Sequence, residues 1–338
     1  MRHFASTFGV VVTIAALGVA TPASVFGQSK PGASKKESPR TPWGTPNLEG
    51  LWTGSTITPL ERPAMYKDKA VLTPEEAKAL ENRAKERAST EPAVTAGEPG
   101  TYNQVWFDPS SAIVPDRRTS LVVDPPDGRI PYTPAGKELA AKSEEHYGIG
   151  SRDTHMDFDT GERCLTDGLP IPYWSGYNNN YQLVQTKDFI LIASEMYHDV
   201  RIIPLDGRPL TGAPQWLGES RGRWEGDTLV VETSNFLDKK HYWWASAFRA
   251  ARPGLKLTER FRRTDDSNIE YEFTMEDPNM FSRAWTARFP LTTDQASRGV
   301  TQGRMYEYAC HEGNYSIVNA MRGGGNVEGE PRRRGSRQ

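Results

Sequence analysis

From about residue 180 onward, apolar and polar residues alternate over short runs, which is the period of two expected of strands with one buried face. Turn-forming residues separate these runs, as Lys187-Asp188 does between the first two. Eight or nine short strands joined mainly by tight turns predict an antiparallel meander that closes into a barrel or a sandwich. The predicted strands are 181–186, 189–196, 200–205, 222–227, 228–236, 255–263, 268–276, 282–291 and 304–310.

The preceding region carries helix signals instead. Thr73-Pro74, followed by two acidic residues, predicts a helix to about Arg87, and Thr133-Pro134 predicts a second helix to about Tyr147. This part of the chain has few residues for a core of its own. The predicted organisation is an N-terminal arm with two short helices (46–174) packed on an antiparallel β-barrel domain (175–318).

The first residues have the pattern of a secretory signal peptide. A short basic start precedes an apolar core of 12 residues, Phe8 to Val19, which is shorter than the roughly 20 residues of a spanning helix. No other stretch has the length and hydrophobicity of a membrane span, so we expect a periplasmic or secreted protein. The predicted segments outside the folded part are the signal peptide (1–27), a flexible linker (28–45) and a disordered tail (319–338).

The composition narrows the class of function. The 338 residues carry a formal net charge of −2, so the chain lacks the excess positive charge that is typical of nucleic-acid-binding proteins. With 30 Gly and 25 Pro, the chain favours turns over a helical bundle. It has no G-x-G-x-x-G fingerprint and no phosphate-binding loop, so nicotinamide and ATP chemistry are disfavoured. The expected partner is a small molecule, and the oligomeric state is left open.

The chain has two cysteines, Cys164 and Cys310. In an oxidising compartment an even number of cysteines favours a disulfide, which here would tie the middle of the chain to its end. The alternative is a Cys/His metal site through Cys310 and His311, which no C-x-x-C spacing supports.

Alternation along the strands also predicts which ionisable side chains face the barrel interior. Glu259 shares a face with Leu257 and Phe261, and Arg283 shares one with Trp285. The residues predicted to point inward are Glu259, Asp277, Arg283, Glu307, His311 and either Glu195 or His198.

Because a buried charge is costly without a partner, two interpretations stay open. Glu259 or Asp277 could form internal ion pairs with Arg283 or Arg201. Alternatively, the histidines and carboxylates form the polar floor of a cavity and act as general acid and base. These residue types also suit Zn, Fe or Mn, but H-E-x-x-H and H-x-H spacings are absent from the sequence. No cofactor is therefore assigned, and a divalent metal is the weaker alternative.

Five longer motifs stand out in the chain: 118–131 (RTSLVVDPPDGRIP), 177–185 (YNNNYQLVQ), 201–209 (RIIPLDGRP), 220–233 (SRGRWEGDTLVVET) and 306–315 (YEYACHEGNY). Together they resemble the motifs of a large uncharacterised family of secreted bacterial proteins. The resemblance covers roughly residues 45–320 and implies export and one shared architecture, with no reaction attached to it. The G-x-W spacing and the strand pattern also resemble lipocalin-type (calycin) folds, so the expected fold is mainly β, an antiparallel meander closing into a lipocalin-like barrel.

The acid/base interpretation predicts an exported enzyme that acts on a small glycosidic or aromatic molecule by hydrolysis or elimination. In it a histidine moves the proton, a carboxylate acts as base or orienter, and an arginine stabilises developing negative charge. The competing hypotheses are a non-catalytic periplasmic barrel that binds a small ligand, and a surface or assembly protein. The predicted catalytic residues are His311, His198, Glu259, Glu307 and Glu195, and the predicted substrate-binding residues are Arg201, Arg283, Asp277, Tyr181 and Trp285.

Overall fold

A computed structural model describes most of the chain between residues 38 and 321. The predicted signal peptide, most of the predicted linker and tail, and the aromatic-rich segments 172–176 and 242–244 lie outside the described residues. The described ranges are 38–89, 110–149, 154–170, 177–239, 247–249, 252–294, 305–312, 314–315, 317–319 and 321.

Ten antiparallel strands form one sheet that is nearly closed into a barrel, which confirms the predicted mainly β fold class. The order around the sheet is β5-β4-β3-β1-β10-β9-β8-β7-β6, and β2 pairs with β10 off this path. The edge strands β5 and β6 contact each other at the seam. The strands are β1 (Gly50–Thr53), β2 (Val122–Asp124), β3 (Asn180–Gln185), β4 (Phe189–Ser194), β5 (Val200–Pro204), β6 (Glu219–Glu225), β7 (Thr228–Ser234), β8 (Lys256–Arg263), β9 (Asn268–Glu276) and β10 (Trp285–Thr292).

The N-terminal part of the chain contributes two of these strands. β1 lies between β3 and β10, so the wall of the barrel includes a segment that comes long before the meander in sequence. The strand predicted at 304–310 is wrong over its described part, because residues 305–310 have no strand structure.

Two helices, α1 (Pro74–Ser89) and α2 (Pro134–Ile149), are capped by the predicted threonines. The Thr73 hydroxyl accepts from the Glu76 N–H at 3.3 Å, and the Glu76 carboxylate accepts from the Thr73 N–H at 2.8 Å. This reciprocal pair is a capping box. The Thr133 hydroxyl accepts from the Gly136 N–H at 2.9 Å. Within the described residues, no helix is long and apolar enough to cross a membrane.

The two ends of the barrel differ in their connections. Short turns at 186–188, 226–227 and 264–267 close one end. The connections β4–β5, β7–β8 and β9–β10 lie at the other end, which we call the loop end, and the connection 205–218 runs to it from the turn end. The described residues of the loop end are 195–199, 235–239, 247–249, 252–255 and 277–284.

Aromatic side chains fill the middle of the barrel. Phe261 and Tyr271 lie with ring centroids 4.8 Å apart, and Tyr271 and Phe289 lie 5.3 Å apart. Phe273 and Trp285 meet edge to face at 5.5 Å. All five are almost completely buried. The interior at this level is therefore a packed core, as in other small barrels.

Candidate functional site

A buried ion pair crosses the barrel interior near the loop end. The Arg201 guanidinium donates to the Glu259 carboxylate from Nη2 at 2.6 Å and from Nη1 at 3.1 Å. The same Nη2 also donates to the hydroxyls of Ser220 and Thr233. The Tyr271 hydroxyl donates to Glu259 at 2.8 Å, and burial beside this carboxylate raises the pKa of Tyr271 well above its ordinary value. Of the two interpretations of Glu259, the geometry shows an internal ion pair.

A second group of polar residues, which we call the loop-end cluster, consists of Thr166, Asp167, Asp199 and Arg249. Asp199 Oδ2 accepts from the Thr166 hydroxyl at 2.6 Å and from the Asp167 N–H at 3.3 Å. Asp167 Oδ2 accepts from Arg249 Nη1 at 2.9 Å. Arg249 also donates to the carbonyl oxygens of Gly168 and Pro170. Three separate segments therefore meet in one hydrogen-bonded group.

The two carboxyl groups of the loop-end cluster differ in environment. Burial raises the pKa of Asp199 to about 6, although the Thr166 hydroxyl favours its charged form. Burial also raises the pKa of Asp167, against the opposing effect of Arg249. Asp199 is partly buried, whereas Asp167 is 8% exposed. A partly accessible carboxyl group that titrates near pH 6 is suited to general acid/base chemistry.

Tyrosine rings lie beside the loop-end cluster. Tyr197 and Tyr308 meet edge to face with centroids 4.8 Å apart, and Tyr177 stacks on Tyr308 at 6.3 Å. Burial and the neighbouring Tyr308 raise the pKa of Tyr197 far above its ordinary value. Tyr197 and His198 both have positive φ, at 54° and 44°. Residues other than glycine rarely adopt this left-handed backbone conformation, and it is found preferentially at functional sites.

Glu195 joins the C-terminal segment to the same end of the barrel. It is 2% exposed. Its Oε2 accepts from Asn180 Nδ2 at 2.8 Å, and its Oε1 accepts from the Tyr306 N–H at 2.7 Å. Segment 305–312 is thereby held against the β4–β5 connection.

The predicted disulfide between Cys164 and Cys310 is confirmed, with a sequence separation of 146 residues. It joins segment 154–170, which carries Thr166 and Asp167, to segment 305–312. Asn314 Nδ2 donates to the Glu162 carbonyl oxygen at 3.2 Å beside it. The disulfide therefore links two segments that both contribute to the loop end.

Several residues predicted to point inward lie at the surface instead. Arg283 is exposed and pairs with Asp124, because β10 begins only at Trp285 and the alternation does not extend back to Arg283. Glu307 and His311 are exposed because their segment is not a strand. His198 is also exposed, in the turn between β4 and β5.

Other predicted residues are buried, with partners or neighbours that the sequence did not indicate. Asp277 is buried and pairs with Arg252 Nε at 2.5 Å, not with Arg283 or Arg201. Trp285 is fully buried against Phe248, Phe273 and Phe281. Tyr181, on β3, is 4% exposed. The structure thus brings Arg201 and Glu259 together but places Glu307 and His311 on the surface.

Residues 218–222 match the G-x-S-x-G pattern of serine hydrolases. In those enzymes the serine lies on a sharp turn between a strand and a helix. Here Ser220 lies within β6, and its hydroxyl is 2.9 Å from that of Thr233 and accepts from Arg201. The environment of Ser220 is that of a buried hydrogen-bond partner in the barrel wall.

No motif or strand pattern in the sequence marks Asp167, Asp199 or Arg249 as site residues. Asp199 was hidden because the alternation of β4 stops at Ser194 and a tight helical turn follows at Met196–His198. Asp167 precedes a glycine, which is a common turn signal. The three residues meet only in the folded chain, so no local spacing could have revealed them.

Among the described residues, no group of three or more His, Cys, Asp and Glu side chains is arranged to hold a metal ion. No family model matches the chain, and neither a curated protein nor a solved structure matches it. The function is therefore inferred from the geometry of the loop end.

Proposed function

We propose that this protein is an exported enzyme that acts on a small glycosidic or aromatic molecule by hydrolysis or elimination, with the loop-end cluster as its active site. The observation that carries the proposal is the partly buried Asp199 carboxyl group, held by Thr166 and Asp167 next to the buried Asp167–Arg249 pair. Long connections at the mouth of a barrel are a common place for a small-molecule site. The disulfide is consistent with export to an oxidising compartment.

Asp199 is the proposed proton-transfer group. Hydrolysis and elimination both require a proton to reach the leaving group or to be removed from the substrate. A carboxyl group with a pKa of about 6 can do either near neutral pH. Thr166 and the Asp167 N–H fix its orientation, and Arg249 holds the Asp167 carboxylate in place. His311 and His198 remain proposed as auxiliary proton carriers because both belong to segments at the loop end.

The test is turnover of a panel of chromogenic glycosides and esters by the mature protein and its Asp199→Asn variant. Removing a general acid/base should lower kcat about 10²- to 10⁴-fold. The matched control is Asp188→Asn, an exposed aspartate in the turn at the opposite end of the barrel. Loss of turnover in His311→Ala but not in Asp199→Asn would move the proton-transfer role to the histidine. If no panel member is turned over but ligands raise the melting temperature, a non-catalytic binding protein replaces the enzyme as the better proposal.

A further inference from the structure

Segment 305–312, which we call the strap, lies against the loop end without strand structure. Its Tyr306 N–H donates to Glu195 Oε1 at 2.7 Å, and its Tyr308 ring meets the Tyr197 ring edge to face at 4.8 Å. Both partners belong to the β4–β5 connection, and both are buried. The strap therefore packs on the connection that carries the proposed proton-transfer group.

The disulfide ties the strap to a second part of the loop end. Cys310, in the strap, bonds to Cys164, which lies two residues before Thr166 of the loop-end cluster. The Thr166 hydroxyl donates to Asp199 at 2.6 Å. The β4–β5 connection is thus joined to segment 154–170 directly by the Thr166–Asp199 hydrogen bond and a second time by the strap. The strap therefore clamps together the two segments whose contact orients the Asp199 carboxyl group.

The barrel itself does not contain the disulfide. Cys164 and Cys310 both lie outside the ten strands. The strands are held by backbone pairing along the sheet and by a packed aromatic interior. Reduction of the disulfide should therefore loosen the strap while the barrel stays folded.

The disulfide is within reach of a reductant. Cys164 and Cys310 are partly exposed, and their neighbours Leu165 and His311 are exposed. Exposed disulfides are more easily reduced than buried ones, and regulatory disulfides are of this kind. Cys164 also has a positive φ of 55°, a conformation that is rare for residues other than glycine and that is concentrated at functional and switch regions.

We propose that the Cys164–Cys310 disulfide is a redox switch whose reduction by a dithiol releases the strap and disables the loop-end cluster. One thiolate of the dithiol attacks a cysteine sulfur, which breaks the disulfide and forms a mixed disulfide. The second thiol then attacks the mixed disulfide, so the dithiol leaves as a disulfide. Its two electrons and two protons pass to the cysteines, which become thiols. The effect on turnover rests on the proposed function, whereas the release of the strap does not.

The test compares the oxidised mature protein with the same protein treated with dithiothreitol in native buffer. Alkylation with iodoacetamide counts the thiols, and both cysteines should react without denaturant. Hydrogen–deuterium exchange of the strap, followed by mass spectrometry, should become about tenfold faster or more, because the Tyr306 N–H is no longer held against Glu195. Amides of β8 and β9 should still exchange about a hundredfold more slowly than those of the strap. Turnover of a panel substrate should fall about tenfold or more, because the Asp199 carboxyl group loses its fixed orientation.

The matched control is the double variant Cys164→Ser/Cys310→Ser, which cannot form the disulfide. It should show the fast strap exchange without reductant and no further change with dithiothreitol. Reoxidation of the reduced wild-type protein is a second comparison, which does not depend on the folding of a variant, and it should restore slow exchange and turnover.

The inference is overturned if no thiols form in native buffer, if strap exchange is unchanged on reduction, or if β8 and β9 exchange as fast as the strap. The last result would make the disulfide a requirement of the fold. Faster strap exchange with unchanged turnover overturns the switch and leaves the proposed enzyme standing. Absence of turnover in both redox states refutes the proposed function, whereas the exchange rates alone decide whether reduction releases the strap.

Discussion

Replacing Glu259 with glutamine removes the negative charge from the barrel interior while keeping the length and shape of the side chain. The Arg201 guanidinium would then lose two charge-assisted hydrogen bonds, which have N···O distances of 2.6 and 3.1 Å. Its charge would stay in a position where the side chain is 3% exposed. Breaking a buried ion pair from one side typically costs about 3–5 kcal/mol, because the remaining charge is left uncompensated. We expect Glu259→Gln to lower the free energy of unfolding by that amount.

The double variant Arg201→Met/Glu259→Leu distinguishes the net contribution of the ion pair to stability from the cost of leaving one buried charge without its partner. Removing both charges leaves apolar side chains of similar volume among rings that are already packed. Such replacements are often neutral or stabilising. The double variant should therefore recover most of the stability lost in Glu259→Gln, and the two positions should show strong coupling in a double-mutant cycle.

The assay is urea denaturation followed by circular dichroism and tryptophan fluorescence, with the disulfide intact. The matched control is Glu225→Gln, which removes the charge from two exposed pairs, with Arg260 at an N···O distance of 3.0 Å and with Arg223 at 2.8 Å. Exposed pairs contribute about 0–1 kcal/mol, so this variant should change stability little. If Glu259→Gln lowers the free energy of unfolding no more than Glu225→Gln does, the buried pair does not stabilise the barrel.

Three further changes have expected outcomes. Burial raises the pKa of Asp199 from 3.8 to about 6, so the folded state binds the proton more tightly than the unfolded state does. The contribution of Asp199 to the free energy of unfolding therefore falls as pH rises from about 4 to 6. Asp199→Asn should flatten that part of a stability–pH curve by at most about 3 kcal/mol, and an unchanged curve would contradict the raised pKa. Reducing the Cys164–Cys310 disulfide should lower the free energy of unfolding by up to about 5 kcal/mol on the chain-entropy model, as measured by urea denaturation with and without reductant. Gly136→Ala should destabilise the protein despite the higher helix propensity of alanine, because its Cβ would lie 2.2 Å from the Met280 backbone oxygen; a raised melting temperature would show that this contact relaxes easily.

The barrel was predictable because most strands of its meander show their own alternation of apolar and polar residues in the sequence. The β8 and β9 segments alternate strictly, so their interior residues Leu257, Phe261, Tyr271 and Phe273 follow from the sequence. The two helices were predictable for the same reason, since Thr73 and Thr133 act on the turn that follows them. β1 was harder to place, because its partners β3 and β10 lie more than a hundred residues away.

The candidate site was only partly predictable. Glu259 lies on a regular strand, and its burial followed from alternation. The strand alternation was extended into segments that are not strands, and it therefore wrongly predicted an inward orientation for Arg283, Glu307 and His311. Asp167, Asp199 and Arg249 lie in the irregular connections that the period does not describe. Prediction succeeded where the backbone is periodic and failed where long connections meet.

The two groups of charged residues near the loop end should have opposite effects on stability. Glu259 is compensated by Arg201 and by the Tyr271 hydroxyl, so removing its charge should destabilise the fold. Asp199 has a raised pKa, which means that its ionised form is destabilising in the folded protein at neutral pH. Asp199→Asn should therefore stabilise the protein at neutral pH while lowering turnover. Residues that serve function often cost stability in this way, whereas residues that serve the fold do not. At neutral pH, Glu259→Gln and Asp199→Asn should therefore change the free energy of unfolding in opposite directions.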